Sequence, residues 1–212
     1  MTVEELREVI SDHWGITADR KKGFHPEIIK GVIELAFNQV IFDLYMSGAS
    51  KNDYSQLDAY IHPYYNVPVL CNEETDEYYS ELPAAVIQLP MSRGIHSISL
   101  MKDRKVSFMF RANGESEIYE NISGYSETNT IPTYEVQNWH VRYSRMTKEI
   151  AKEGVLMRLI PCFREWGDKD IIPAPSSKSM DIVQAVENML NAKWLEQNSP
   201  TGRTELPEQP KQ

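Results

Sequence analysis

The sequence predicts an α+β fold: N-terminal helices including one long helix, a central antiparallel β region, a C-terminal helix and an extended tail. Three observations predict it. Apolar residues recur at three- and four-residue steps between Ile29 and Tyr45 and again between Ile182 and Trp194, the spacing that lines one side of a helix. Between those stretches the apolar runs are short, closed by Pro, Gly and Asn, and alternate with polar residues as half-buried strands do. After Leu195 the chain carries almost nothing apolar to bury.

Taken in order, Val3, Leu6, Val9 and Ile10 keep one face for a short helix that Gly15 ends. A basic turn follows (Arg20, Lys21, Lys22, Gly23), and Pro26 suits the first turn of the long helix. That helix runs to Gly48, about 21 residues and roughly 30 Å. Its second face is also apolar, at Ile28, Leu35 and Phe42, so it is either deeply buried or shared with a neighbouring subunit. Tyr54, Leu57, Tyr60 and Ile61 form a third, short helix stopped by Pro63.

The period then changes. Asn66-Val-Pro-Val-Leu enters β structure, with Glu73, Glu74, Asp76, Glu77 and Glu81 as an acidic patch around it. Residues 84–89 read as a short strand closed by Pro83 and Pro90, because proline cannot donate to a ladder. A hairpin joins residues 95–100 to Val106, Phe108 and Phe110 through the polar turn 102–105, and Asn113-Gly114 marks another turn. Tyr134, Val136 and the residues from Trp139 to Tyr143 read as one strand; Val155 to Ile160 is the last, ending at Pro161. Residues 145–152 are charged and form a short helix or a loop. The segment 171–175 leads into the final helix, with serines to cap it and Asp181 in its first turn. Residues 1–195 are thus expected to be a single α+β domain, with a helical part at 1–62, a β part at 66–161 and a C-terminal helix at 177–195 packing back. Residues 196–212 are expected to be a flexible or partner-ordered tail.

A chain of 212 residues with 41% apolar and 25% charged residues is long and apolar enough for one folded core. Its net charge of -9 argues against sequence-independent nucleic-acid binding, which needs clustered Lys and Arg. The two cysteines, Cys71 and Cys162, have no companion at metal-ligand spacing. The opening Met-Thr-Val-Glu-Glu-Leu-Arg-Glu is acidic rather than a basic leader, so free thiols in a reducing compartment are expected. No run approaches the roughly 18 apolar residues of a membrane span.

Chemistry-bearing patterns are sparse. No P-loop, Gly-x-Gly-x-x-Gly or Gly-x-Ser-x-Gly occurs. His13, His25, His62, His96 and His140 show no metal-ligand pairing in sequence, and the pair that neighbouring strands could join is His96 with His140. Asp168-Lys-Asp lacks the glycine and distal glutamate of a calcium loop. No catalytic, cofactor or metal residue is therefore expected, and an enzyme is the weaker reading. The 11 tyrosines include the doublets Tyr64-Tyr65 and Tyr78-Tyr79, rigid rings of the kind favoured in interfaces. With the two-faced helix and the polar tail, they point to an assembly subunit whose contacts are expected at Phe37, Ile41, Phe42, Tyr78, Tyr79, Trp194 and Leu206.

Three blocks carry a resemblance. The first is Ser55-Gln-Leu-Asp-Ala-Tyr with Asn66-Val-Pro-Val-Leu. The second is Asp76-Glu-Tyr-Tyr-Ser-Glu-Leu-Pro-Ala-Ala-Val-Ile-Gln-Leu-Pro followed by Gly94-Ile-His-Ser-Ile-Ser-Leu. The third is Leu159-Ile-Pro-Cys-Phe, Asp168-Lys-Asp-Ile-Ile-Pro and the Ile182-Val-Gln-Ala-Val-Glu-Asn-Met-Leu helix. From Ile28 to Leu190 the chain resembles virion structural proteins of tailed phages infecting Bacteroidota, the crAss-like group and its relatives. The resemblance implies a head-to-tail connector in the virion neck. Such a protein is made in the host cytoplasm and forms a cyclic, commonly dodecameric ring around the DNA channel. Its implied partners are further copies of itself, the portal, other neck or tail proteins, and DNA that passes without sequence-specific contact; no cofactor and no membrane are implied. A C-terminal segment that docks on the portal is implied as well. Other virion components (tail barrel, capsid-decorating or fibre-associated), a small hydrolase using His96 or His140, and a host regulatory protein are the competing readings.

Overall fold

A computed structural model describes residues 1–13, 26–120, 132–172 and 176–198. The expected α+β class is what it shows. Helix α1 (Val3–His13) begins with a reciprocal cap: the Thr2 hydroxyl accepts from the Glu5 N–H at 3.1 Å, and the Glu5 carboxylate accepts from the Thr2 N–H at 2.8 Å. The chain near residue 170 covers the same helix end. Val3 and Glu4 donate to the Asp170 and Asp168 carbonyls, and Arg7 pairs with the Asp168 side chain at 2.8 Å. Gly15 lies outside the described residues.

Helix α2 (Pro26–Lys51) does not stop at Gly48 but continues to Lys51. Gly48 is required by a close approach instead: the Asp53 N–H donates to its carbonyl at 3.0 Å, and a Cβ there would lie 2.6 Å from the Asp53 oxygen. Residues 55–60 turn as a 3-10 helix that buries Leu57 and Tyr60. Pro63 does not end a helix; it sits inside strand β1 (His62–Val67), opposite Arg158.

Two sheets follow. β1, β8 (Val155–Leu159) and β4 (Ile95–Leu100) form an antiparallel three-stranded sheet in the order β1-β8-β4. The five-stranded sheet runs β2-β3-β7-β6-β5, from β2 (Leu70–Asn72) and β3 (Glu77–Glu81) through β7 (His140–Ser144) and β6 (Thr133–Gln137) to β5 (Met109–Phe110). The acidic stretch 73–81 is therefore largely the turn and return strand of the β2–β3 hairpin. The segment read as one strand from Tyr134 to Tyr143 is a hairpin too. Gln137 pairs with His140 across a two-residue turn, and Asn138 takes the left-handed backbone (φ 55°) that Asn tolerates best after glycine. The expected 95–110 hairpin forms next to its turn, where the Leu100 N–H donates to the Val106 carbonyl at 3.3 Å, Ser99 bridges Ser107 and the Phe108 N–H donates to the Ile98 carbonyl at 2.8 Å. Beyond that point the chain changes sheet, and β5 pairs parallel to β6.

Residues 84–89 form no regular strand. They make a single bridge, Val86 to Pro161, yet are buried nearly throughout. Period-two alternation explains their place. Ile87 and Leu89 enter the core shared by α1, α2 and α5 (Ser176–Asn198), while Val86 enters the second core between the sheets. The segment is the seam between two apolar clusters. Gly94 closes it: a Cβ there would meet the Ile87 carbonyl oxygen at 2.1 Å. Gly94→Ala is expected to lower unfolding free energy by about 1–3 kcal/mol in a urea titration, because backbone must move to admit it.

Helix α3 (Glu115–Glu120) is capped from the sheet. The buried Glu135 carboxylate accepts from the Ser116 N–H at 2.9 Å and the Gly114 N–H at 3.2 Å. Burial pushes this carboxyl up, but the two N–H donors and the Arg142 charge together outweigh it and leave the group below its ordinary 4.5. A lowered folded value means that the stabilisation is present above about 4.5 and is lost as pH falls through the folded value. Wild-type urea midpoints should therefore drop below pH 4.5, and Glu135→Gln should start lower at pH 7 and drop less.

α4 (Lys148–Ala151) settles residues 145–152 as a short helix, with the Thr147 hydroxyl accepting from the Ile150 N–H. In α5, Ile182, Val183, Val186 and Leu190 face the core, and Asp181 lies past the first turn, bonded to Lys178 at 3.0 Å.

Candidate functional site

The expected contact residues separate on the structure. Phe37 and Ile41 are within the chain's own core, where the Phe37 ring meets Tyr60 at 5.9 Å and Phe163 at 5.5 Å. They are not available to a neighbour, because the helical period turns them toward α5 and the 3-10 turns. Phe42 lies on the opposite side of α2 and is exposed together with Leu35 and Met46, at 39%, 57% and 50%. These three, at seven- and four-residue steps, form one stripe along the helix. Beside it the Asn38 Oδ1 is buried without a hydrogen-bond partner. Met46 was legible in the spacing but falls outside the second-face set Ile28, Leu35 and Phe42. The Ile28 and Trp194 side chains and all of Leu206 lie outside the described residues.

Tyr78 and Tyr79 sit on β3 and point to opposite faces. Tyr78 packs toward the inter-sheet core, whereas the Tyr79 ring lies edge-on to His140 at 5.7 Å on the outer face. That outer face also carries the Glu77–Arg142 ion pair, with Gln137 bonded to Arg142 at 3.4 Å. On the inner side the Tyr143 hydroxyl donates to the Ser80 hydroxyl at 3.1 Å, and Ser80 donates to the Pro68 carbonyl at 2.7 Å. Burial raises the Tyr143 phenol well above its ordinary range, so it stays a neutral structural donor.

His96 and His140 do not meet across neighbouring strands. His96 is on β4 and His140 on β7, which belong to different sheets. Among the described residues no group of three or more His, Cys, Asp or Glu could hold a metal ion. Both cysteines are free thiols, Cys71 exposed and Cys162 half-buried, and burial pushes the Cys162 thiol up, away from the reactive thiolate. Among the described residues no helix is long and apolar enough to cross a membrane.

A cleft of about 600 Å³ opens where the seam faces the β6–β7 turn, lined by Leu82, Val86, Leu89, Ile95, Val136 and Trp139 among others. Its lining mixes these apolar side chains with polar groups, among them Gln88, Ser92 and Asn138. Trp139 is exposed at the turn. A sequence without glycine at that turn hid its position; only Asn138 signalled it.

No family model matches the sequence, and no curated protein matches it.

Proposed function

We propose that this chain is a structural subunit of a tailed-phage virion neck, forming an oligomeric ring that connects portal and tail around the DNA channel. The observation that carries the reading is the exposed Leu35–Phe42–Met46 stripe beside the unpaired Asn38 oxygen. Three exposed apolar side chains in line along a helix whose other side is already buried are the kind of surface a second protein covers. In a ring, that stripe meets a different surface of the next copy, a heterologous contact that closes by rotation. The resemblance supplies the neck assignment, and its blocks fall on architecture: the 3-10 turn, β1 to β4, the seam and α5. The acidic balance suits a channel through which DNA passes unheld.

A reconstruction of the particle tests the placement. Density for this chain in rings beneath the portal is the expected result; density on the capsid surface, the tail barrel or the fibres contradicts it.

A further inference from the structure

The seam presents an open strand edge. The Ala85 carbonyl accepts from the Cys162 N–H at 2.8 Å, and the Ile87 N–H donates to the Ile160 carbonyl at 3.0 Å. Those two bonds make Val86 and Pro161 a non-hydrogen-bonded pair, in which the N–H and C=O of Val86 point to the opposite edge. Val86 is buried, and among the described residues neither its N–H nor its C=O has a partner; the backbone of Gln88, an exposed residue, has none among them either. Both residues line the 600 Å³ cleft. Buried backbone groups are seldom left unpaired, and an open edge beside apolar walls is the surface to which an extended peptide adds as a strand.

We propose that this cleft receives residues 204–207 of a neighbouring copy as an added strand, an inference that rests on the assembly proposed above. The sequence names the occupant. Ser80-Glu81-Leu82-Pro83 sets Leu82 against the cleft, its N–H donating to the Trp139 carbonyl at 3.0 Å. Thr204-Glu205-Leu206-Pro207 repeats hydroxyl, acid, leucine and proline at the same offsets. The tail therefore repeats a motif whose first copy already lines this cleft. A residue before proline is biased to extended backbone, so Leu206 loses less freedom on docking. Thr204, Glu205 and Leu206 keep N–H groups for the Val86 and Gln88 carbonyls, and Pro207 ends the ladder.

Hydrogen exchange in full-length chains tests this. Leu206→Asp protein labelled with nitrogen-15 is mixed with excess unlabelled wild type, and exchange of labelled peptides covering residues 84–89 is read by mass spectrometry. The expected result is exchange slowed at least about tenfold, because only another copy's tail can protect the labelled chain, and no slowing when the unlabelled partner is also Leu206→Asp. Two results overturn the proposal: no protection of this segment even in wild type, or protection in wild type that the mixture fails to restore, which places the tail on its own chain. Light scattering of the wild type separates the two readings. Wild-type oligomers whose residues 84–89 stay unprotected remove the docked tail and leave the ring.

Discussion

Phe37→Ala is expected to lower the unfolding free energy by about 3–5 kcal/mol, measured by urea or thermal denaturation, while Phe37→Leu loses well under half of that. The ring is 1% exposed and contacts Tyr60 and Phe163, so truncation removes burial and two aromatic contacts and leaves a cavity bounded by elements that cannot all collapse inward. Because domain stability is generally only about 5–15 kcal/mol, the alanine variant should lose a large fraction of its stability. A near-neutral result would mean that the contact between α2 and the turns at residues 55–60 and 163–165 is much looser than its geometry.

The Phe37 site also shows where sequence reasoning reached and where it stopped. The three- and four-residue steps of α2 located both of its apolar faces. They did not say which face this chain buries, because periodicity fixes relative orientation and not the partner. Phe37 and Phe42 both read as interface candidates, and packing on α5 separated them. The β part was less legible for a physical reason. Strand identity depends on distant partners, so the seam 84–89, apolar and bounded by prolines, reads as a strand although only one bridge forms there. Conversely, charged 77–81 became β3 because Arg142 and Val141 lie opposite it. The open edge at Val86 could not be foreseen at all: it exists because Ile160 and Cys162, about 75 residues on, occupy the other edge.

Leu35→Asp combined with Phe42→Asp has the opposite profile from Phe37→Ala. Both side chains project from the outer face of α2, Phe42 39% and Leu35 57% exposed, so far-UV circular dichroism should hardly change and the denaturation midpoint should fall less than for Phe37→Ala. Association should fail. Burying the exposed remainder of each side chain contributes about 1 kcal/mol, and a carboxylate forced into the same contact adds an unpaired charge. A combined loss of at least about 3 kcal/mol is on the order of a hundredfold in the association constant for each contact, and a ring repeats that loss at every interface. A variant that assembles like wild type would show that the stripe is not where copies meet.

The most direct measurement of the central claim is the mass of the wild-type protein by light scattering, alone and with the portal protein. A cyclic oligomer is expected, at least when the portal is present, at an integral multiple of the 24.5 kDa chain. A protein that stays at 24.5 kDa in both conditions contradicts it.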